Sequence, residues 1–201
     1  MDTSEFEILS VIFEKEADWL SNIIRERLKL FITNKNDATS LEGIPTCIVP
    51  EHKDSNLAYT NFINENKLSF EERILLAFAA IPHIKPHFLL DHFTYRNFNV
   101  ITKEYGIEFP EIGLIKSKNI ELVIPTQLTF LFLLGGRSIK ERLKTATLFN
   151  SKSVLIEKKV IHIERPASGE IMYSGKIILS QVYFDLFTSS MADPKISSHA
   201  N

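Results

Sequence analysis

The sequence predicts a mainly helical α+β protein with one small β-hairpin near its carboxyl end. Apolar residues recur every three or four positions over residues 6–31 and 57–93, which is the spacing of amphipathic helices. An apolar run at 128–134 is stopped by two consecutive glycines, as at the end of a buried helix. Two runs rich in β-branched residues, 154–163 and 171–179, enclose a segment with Pro and Gly, which is typical of a hairpin.

The composition indicates one main domain, or one domain with an added helix. The chain has 201 residues, of which 44% are hydrophobic and 24% are charged, close to the averages of proteins that fold in water. Its 23 Lys and Arg against 25 Asp and Glu give a net charge of −2. This balance lacks the global positive field of a dedicated nucleic-acid-binding protein, although a locally basic surface stays open.

Cysteine usage and the first residues predict a cytoplasmic protein with no membrane partner. Cys47 is the one cysteine of the sequence, so an internal disulfide is not expected. The start of the chain, MDTSEFEILS, is acidic where a secretory signal is basic and then apolar. The apolar run at 128–134 is far shorter than the roughly 20 residues that span a bilayer. No transmembrane helix is therefore expected.

Residues 1–33 are predicted to form a long amphipathic N-terminal helix. Its apolar stripe consists of Phe6, Leu9, Ile12, Phe13, Leu20, Ile23, Ile24, Leu28 and Phe31. Such a stripe needs a partner surface, which is either the domain that follows, a second copy or another protein. Residues 34–56 collect Asn, Asp, Ser, Gly and Pro with little periodicity, which predicts an irregular linker and a domain boundary. Residues 189–201 are small and polar, and are predicted to be a tail or linker.

The main domain is predicted to span residues 57–188 and to begin with helices. A short helix precedes a second one, whose start is marked by Ser69 and Glu72 at the spacing of a capping box. Pro82 is predicted to end that helix, because a proline ring clashes with the preceding turn and has no amide hydrogen. Pro86 then suits the first turn of another helix.

The second half of this domain is predicted to combine helices with the hairpin. Residues 97–124 are interrupted by Gly and Pro and predict a loop with one short strand. A buried helix at 126–134 ends at two glycines, and Ser138 with Glu141 marks the start of the next helix. The hairpin follows, and a helix at 180–187 closes the domain. Helices followed by a hairpin in this order describe a winged-helix-like arrangement.

A group of histidines is the most metal-like pattern in the chain. Imidazoles and one carboxylate lie close together at His83, His87, Asp91 and His92. Pro86 separates the first histidine from the helix that bears the others, and no cysteine joins the set. Capping or surface roles are therefore predicted, and no metal is expected.

Nucleotide binding and nucleophilic catalysis are not predicted either. The segment Gly169–Lys176 superficially resembles a phosphate loop, but five residues separate its glycines and Ile177 stands where a hydroxyl is needed. Cys47 has no identifiable base nearby, and no serine lies in a Gly-x-Ser-x-Gly sequence. We therefore expect no cofactor and no catalytic residue, and predict that the chain is not an enzyme.

The candidate contact site is a group of basic residues on or beside the helix that precedes the hairpin. Its members are Arg137, Lys140, Arg142 and Lys144. A winged-helix domain presents this helix to the major groove of DNA, so these side chains are candidate contacts to DNA or to a protein partner. Glu141 intervenes and the charges are spread around the helix, which weakens the case for DNA.

Four segments of the chain carry a resemblance to a known family. They are LAYTNFINENKLSFEERILLAFAAIPHIKPHFLLDHF at 57–93, IPT at 124–126, FLFLLGG at 130–136 and LFNSKSVLIEKKVIHIERPASGEIMYSGKIILSQVYFDLFTS at 148–189. Together they resemble the region that precedes the ATPase module in a family of bacterial AAA-type ATPases. These ATPases are known mostly from Bacteroidetes and are often encoded with extracellular contractile injection systems.

The resemblance implies a winged-helix-like N-terminal domain, with ATP hydrolysis carried by a downstream module. The family's Walker motifs have no counterpart in these residues, so no ATP-binding or catalytic residue is implied. The implied function is a noncatalytic accessory domain that recruits a substrate or docks a protein partner. That partner is expected to be an ATPase module or an injection-particle component, during particle assembly or remodelling. A DNA-binding winged-helix transcriptional regulator is the alternative.

Overall fold

The computed structural model describes residues 3–33, 40–42, 44–52, 57–95, 113, 115–116, 122–151 and 153–189. Its helices are α1 Thr3–Ile32, α2 Ala58–Glu65, α3 Phe70–Ile84, α4 Phe88–Leu90, α5 Gln127–Gly135, α6 Ile139–Ala146, α7 Val154–Glu157 and α8 Gln181–Thr188. Helix α4 continues into a π-helical turn, Asp91–Tyr95. No helix within these ranges is long and apolar enough to cross a membrane.

The β structure is small and antiparallel. The strands are β1 Ile115–Lys116, β2 Val123–Ile124, β3 Ile161–Ile163 and β4 Ile177–Leu179. They pair as β1 with β2 and β3 with β4. Short 3-10 helices occur at Pro45–Cys47, Thr147–Phe149 and Met172–Ser174. The predicted fold class, mainly helical with a small β-hairpin, is confirmed.

Helix α1 packs its apolar stripe on the rest of the chain. Leu20, Ile23 and Ile24 are fully buried, within a core that also contains residues of α2, α3 and α5. At the far end of α1, the rings of Phe31 and Phe132 meet with their centres 5.2 Å apart. Each large apolar side chain buried in this way stabilises the fold by about 1.5–3 kcal/mol. The stripe from Leu9 to Phe31 therefore has its partner in the domain that follows, as one of the alternatives predicted. Phe6, the first residue of the predicted stripe, is instead 50% exposed.

Helix α3 begins at the predicted capping box but ends later than predicted. The Ser69 hydroxyl accepts a hydrogen bond from Glu72 N at 3.2 Å, and Glu72 Oε2 accepts one from Ser69 N at 3.2 Å. The prediction that Pro82 ends the helix is wrong, because Pro82 lies in a last turn that continues to Ile84. Near the end of a helix a proline removes a single hydrogen bond, and burial of residues 73–81 holds the preceding turns.

Glu72 also joins the start of α3 to the start of α7. Its Oε1 accepts hydrogen bonds from Ser153 Oγ and Val154 N, both at 3.1 Å. The first turn of a helix leaves amide donors unpaired, and a nearby carboxylate satisfies them. One side chain thus caps two helices that lie far apart in the sequence.

Glu72→Ala is expected to lower the free energy of unfolding by about 2 kcal/mol, because it removes a cap from both helices. Glu71→Ala deletes the neighbouring carboxylate in the same turn and is expected to change that free energy by no more than about 0.5 kcal/mol. Urea unfolding followed by circular dichroism measures both values. Equal losses in the two variants would contradict the double capping role.

The hairpin is present, but its strands are shorter than predicted. Strands β3 and β4 are antiparallel, with Ile161 opposite Leu179. The first predicted strand run opens instead with the helix Val154–Glu157, and the second contains the 3-10 turn Met172–Ser174. The helix at α7 forms because Glu72 satisfies its first amide, a long-range contact that local β-propensity does not include.

The end of β2 adds a third segment to this hairpin. Ile177 N donates to Pro125 O at 2.9 Å, and Gln127 N donates to Gly175 O at 3.0 Å. Strand β4 therefore lies between β3 and the chain that leaves β2. Glycine is required beside this junction, since a Cβ atom at Gly175 would lie 2.5 Å from Glu164 O.

Several sequence predictions fall wholly or partly outside the described residues. Most of the predicted loop at 97–124 does so, although β1 and β2 within it form a pair with Ile115 opposite Ile124, where one strand was expected. The predicted tail at 189–201 lies outside them except for its first residue, and the predicted linker at 34–56 is described only in part. The division into an N-terminal helix, linker, domain and tail stays a prediction.

Candidate functional site

We call residues 44–52, which lie against α1 and α3, the strap. Trp19 Nε1 on α1 donates to Cys47 O at 2.9 Å, and Arg73 Nη2 on α3 donates to Pro50 O at 2.7 Å. Cys47 is buried, and burial raises the pKa of its thiol. The strap is thus held by side chains from two helices.

Four polar side chains meet beneath the strap in what we call the Glu16 cluster, which consists of Glu16, His52, Tyr59 and Arg73. Glu16 is fully buried on α1, and its Oε1 accepts a hydrogen bond from Arg73 Nη2. His52 Nε2 lies 2.6 Å from the same oxygen. The Arg73 guanidinium carbon is also 5.5 Å from the centre of the Trp19 ring, a cation–π distance. Two helices and the strap therefore converge on one carboxylate.

Burial governs the electrostatics of this cluster. Desolvation, and then the charge of Glu16, raise the pKa of Tyr59 well above its usual value. Hydrogen-bond partners are lacking, among the described residues, for Glu16 Oε2, His52 Nδ1, the Tyr59 hydroxyl and Arg73 Nε. A cleft of about 430 Å³ beside the cluster is lined by the strap, α2 and Arg73. Because Glu16 is fully buried and its partners come from separate elements, the cluster acts as a clamp on the strap.

The sequence prediction misses this cluster, although one signal for it is present. Glu16 occupies a stripe position of α1, three residues after Phe13 and four before Leu20. A carboxylate at a buried position needs a partner, so its place in the stripe indicates a buried ion pair. Arg27 stands out in the same way, four residues before Phe31.

Arg27 caps the carboxyl end of α5. Its Nε donates to Leu133 O at 2.8 Å and its Nη2 donates to Leu134 O at 2.7 Å, with the side chain fully buried. The last carbonyls of a helix have no partner within it and carry partial negative charge. The guanidinium satisfies two of them and ties α1 to α5.

The two arginines of the predicted contact site bind within their own chain. The Arg137 guanidinium carbon lies 4.1 Å from the centre of the Phe31 ring on α1. Arg142 is half-buried, and its Nε donates to Gly136 O at 2.5 Å. These contacts orient the turn between α5 and α6.

The two lysines of the predicted site lie on the solvent face of α6, next to apolar residues. Ile139 and Leu143 are 76% and 63% exposed and lie one helical turn apart. Lys140 and Lys144 are exposed beside them, and Lys144 Nζ is 3.2 Å from Glu141 Oε2. The face is therefore both basic and apolar, and the prediction from charge alone does not include its apolar half.

A second exposed apolar surface lies in the β3–β4 connection, at residues 171–174, which we call the wing turn. Ile171, Met172 and Tyr173 are 67%, 83% and 38% exposed. Ser174 Oγ lies 2.8 Å from Ile171 O and 3.0 Å from Glu170 Oε2, and its hydroxyl hydrogen-bonds within the turn and fixes it. Three consecutive large apolar side chains on a fixed turn are typical of an interaction surface.

Two members of the histidine group, His83 and His92, make structural contacts, whereas His87 and Asp91 are exposed. The His83 ring packs 5.4 Å from the Phe184 ring, and partial burial lowers the pKa of His83. His92 Nδ1 lies 2.7 Å from Phe88 O and its Nε2 lies 2.8 Å from Ser21 Oγ. Among the residues that the structure describes, no three His, Cys, Asp or Glu side chains are grouped to hold a metal ion.

The segment that resembles a phosphate loop lies in the β3–β4 connection. A phosphate loop leads into a helix, whose amino end binds the phosphates. Here β4 follows Lys176, and Lys176 Nζ is 2.8 Å from Glu164 Oε2. Lys176 therefore forms an ion pair within the hairpin.

Comparisons with known proteins identify no relative. No model of a protein family matches the chain, no curated protein matches it, and no solved structure matches it. The resemblance to the AAA-type ATPases therefore stays a prediction.

Proposed function

We propose that this chain is a noncatalytic, winged-helix-like accessory domain that docks a protein partner in the cytoplasm. The partner is an ATPase module or a component of a contractile injection particle, as the sequence resemblance implies. The observation that carries the proposal is the wing turn, where Ile171 and Met172 are 67% and 83% exposed. Exposed apolar side chains grouped on a fixed turn are typical of protein-binding surfaces.

The order of elements supports the winged-helix-like part of the proposal. Among the described elements, α3 is followed by α4, the β1–β2 pair, the consecutive helices α5 and α6, the short helix α7 and the β3–β4 hairpin. The end of β2 pairs with β4 through Pro125 O and Gly175 O, which places three extended segments side by side. A helix-turn-helix unit flanked by such a sheet is the arrangement expected of a winged helix.

The wing turn gives a direct test of the protein-docking proposal. Tagged wild-type protein purified from native extract is expected to recover an AAA-type ATPase or an injection-particle component, identified by mass spectrometry. Replacing Ile171 and Met172 with serine is expected to reduce that recovery by at least about tenfold, because truncation of apolar anchors removes most of the binding energy. Ile48→Ser is the matched control, since Ile48 is 72% exposed on the strap.

Two outcomes would overturn the proposal. One is recovery of neither type of protein by the wild-type chain. The other is equal recovery by the wing-turn variant and the Ile48→Ser control. Urea unfolding of all three proteins distinguishes lost docking from lost folding.

DNA binding is the second candidate, favoured by the exposed Lys140 and Lys144 on α6. The apolar Ile139 and Leu143 on the same face count against it, because phosphate contacts come from cationic and polar groups. Fluorescence anisotropy of a labelled duplex at low salt is expected to detect no saturable binding. Salt-sensitive binding that is lost in the Lys140→Ala/Lys144→Ala variant would instead favour the alternative, a DNA-binding winged-helix regulator.

A further inference from the structure

The amino half of α1 carries an exposed acidic and apolar face on the side opposite its buried stripe. This face, the α1 face, consists of Glu7, Ile8, Val11, Glu14, Lys15 and Asp18, all of them exposed. Ile8 and Val11 are 49% and 52% exposed, so two apolar side chains lie among three carboxylates and one lysine. Its spacing of three and four residues keeps the members on one side of the helix.

The solvent face of α6 has the opposite charge and the same construction. Ile139 and Leu143 are its apolar pair, and Lys140 and Lys144 are its cations. Among the described residues, each face has one intrachain ion pair: Glu14 of the α1 face pairs with Lys85, which follows α3, and Lys144 of the α6 face pairs with Glu141. Among the described residues, Glu7 and Asp18 of the α1 face and Lys140 of the α6 face form no ion pair within the chain.

These two faces cannot meet within one chain. Arg137, in the turn that leads into α6, lies over the ring of Phe31, which is near the carboxyl end of α1. Val11 precedes Phe31 by 20 residues of continuous helix, which is about 30 Å at 1.5 Å per residue. Any contact between the faces is therefore a contact between two copies.

We propose that this chain binds a second copy of itself head to tail, with the α1 face of one copy on the α6 face of the next. The apolar pairs pack against each other, and the carboxylates of α1 lie against the lysines of α6. Charge complementarity of this kind fixes the partner and the register of an interface. Two different surfaces are used, so the contact repeats into a closed ring or an open chain.

The interface is small, so its affinity is expected to be low. The α1 face spans about three helical turns and the α6 face about one and a half, at 3.6 residues per turn. Such faces are well below the roughly 800 Å² per partner of a standard stable interface. Association is expected to rise with protein concentration and to weaken with salt, because exposed charges form part of it. This inference does not depend on the wing turn or on the identity of the docked partner.

Sedimentation velocity with charge-reversed variants tests the proposal. The wild-type sedimentation coefficient is expected to increase with concentration at about 0.05 M salt and to return toward the monomer value at about 0.5 M salt. The variants Lys140→Glu/Lys144→Glu and Glu7→Lys/Asp18→Lys are each expected to weaken association by at least about tenfold, because like charges then face each other.

An equimolar mixture of the two variants is expected to restore association. One copy then offers a wild-type α1 face to a wild-type α6 face, and the reversed pair is complementary as well. Lys158→Glu/Arg165→Glu is the matched control, since it reverses two exposed charges elsewhere and is expected to associate like the wild type. A wild-type chain that stays monomeric at every concentration would overturn the proposal. So would equal weakening by the control, or a mixture that does not associate.

Discussion

Glu16→Gln is expected to lower the free energy of unfolding by about 3–5 kcal/mol, which is the cost of breaking a buried ion pair by removing one partner. The substitution keeps the shape of the side chain but removes the negative charge that Arg73 faces. Arg73 is 8% exposed, so its charge stays largely buried without the carboxylate. Urea unfolding is expected to show a lower midpoint with an unchanged slope.

The exposed ion pair between Lys85 and Glu14 provides the control for this experiment. Its side chains are 41% and 59% exposed, and Lys85→Ala is expected to cost less than about 1 kcal/mol. Replacing Glu16 with leucine and Arg73 with methionine together removes both charges and is expected to recover most of the loss, because no unpaired charge remains. A Glu16→Gln variant as stable as Lys85→Ala would contradict the clamp.

The labelling rate of the Cys47 thiol measures opening of the strap directly. Cys47 is 1% exposed and its backbone carbonyl is held by Trp19. If the clamp fails in Glu16→Gln, the strap opens more often and a thiol reagent reaches Cys47 faster under native conditions. The Lys85→Ala variant is expected to keep the wild-type labelling rate.

Helix α1 and the start of α3 follow from local patterns, whereas the clamp does not. The period of three and four in α1 and the capping box at Ser69 depend on neighbouring residues, and both are present in the structure. The partners of Glu16 are separated from it by 36 residues at His52 and 57 at Arg73. Stripe position alone indicates that Glu16 is buried, but no local pattern shows which cation it meets.

Long-range contacts also explain why the hairpin and the basic site differ from the sequence predictions. The residues at 154–157 have β-propensity and still form α7, because the carboxylate of Glu72 caps them from another helix. Arg137 and Arg142 are predicted contacts by charge, yet their positions are set by the Phe31 ring and the Gly136 carbonyl. Charge counts along a sequence do not separate cations that serve the fold from those that face solvent.

Arg27→Met is expected to lower the free energy of unfolding by about 2–5 kcal/mol, because two buried carbonyls at the end of α5 lose their donor. Arg27→Lys keeps the charge but not the two-pronged geometry, and is expected to fall between Arg27→Met and the wild type. Arg25→Met is the matched control, since Arg25 is exposed and binds only side chains of its own helix among the described residues. Urea unfolding compares the three variants. Hydrogen exchange of the last turn of α5 is expected to accelerate in Arg27→Met but not in Arg25→Met. Similar losses in Arg25→Met and Arg27→Met would show that the carbonyls of α5 do not depend on Arg27.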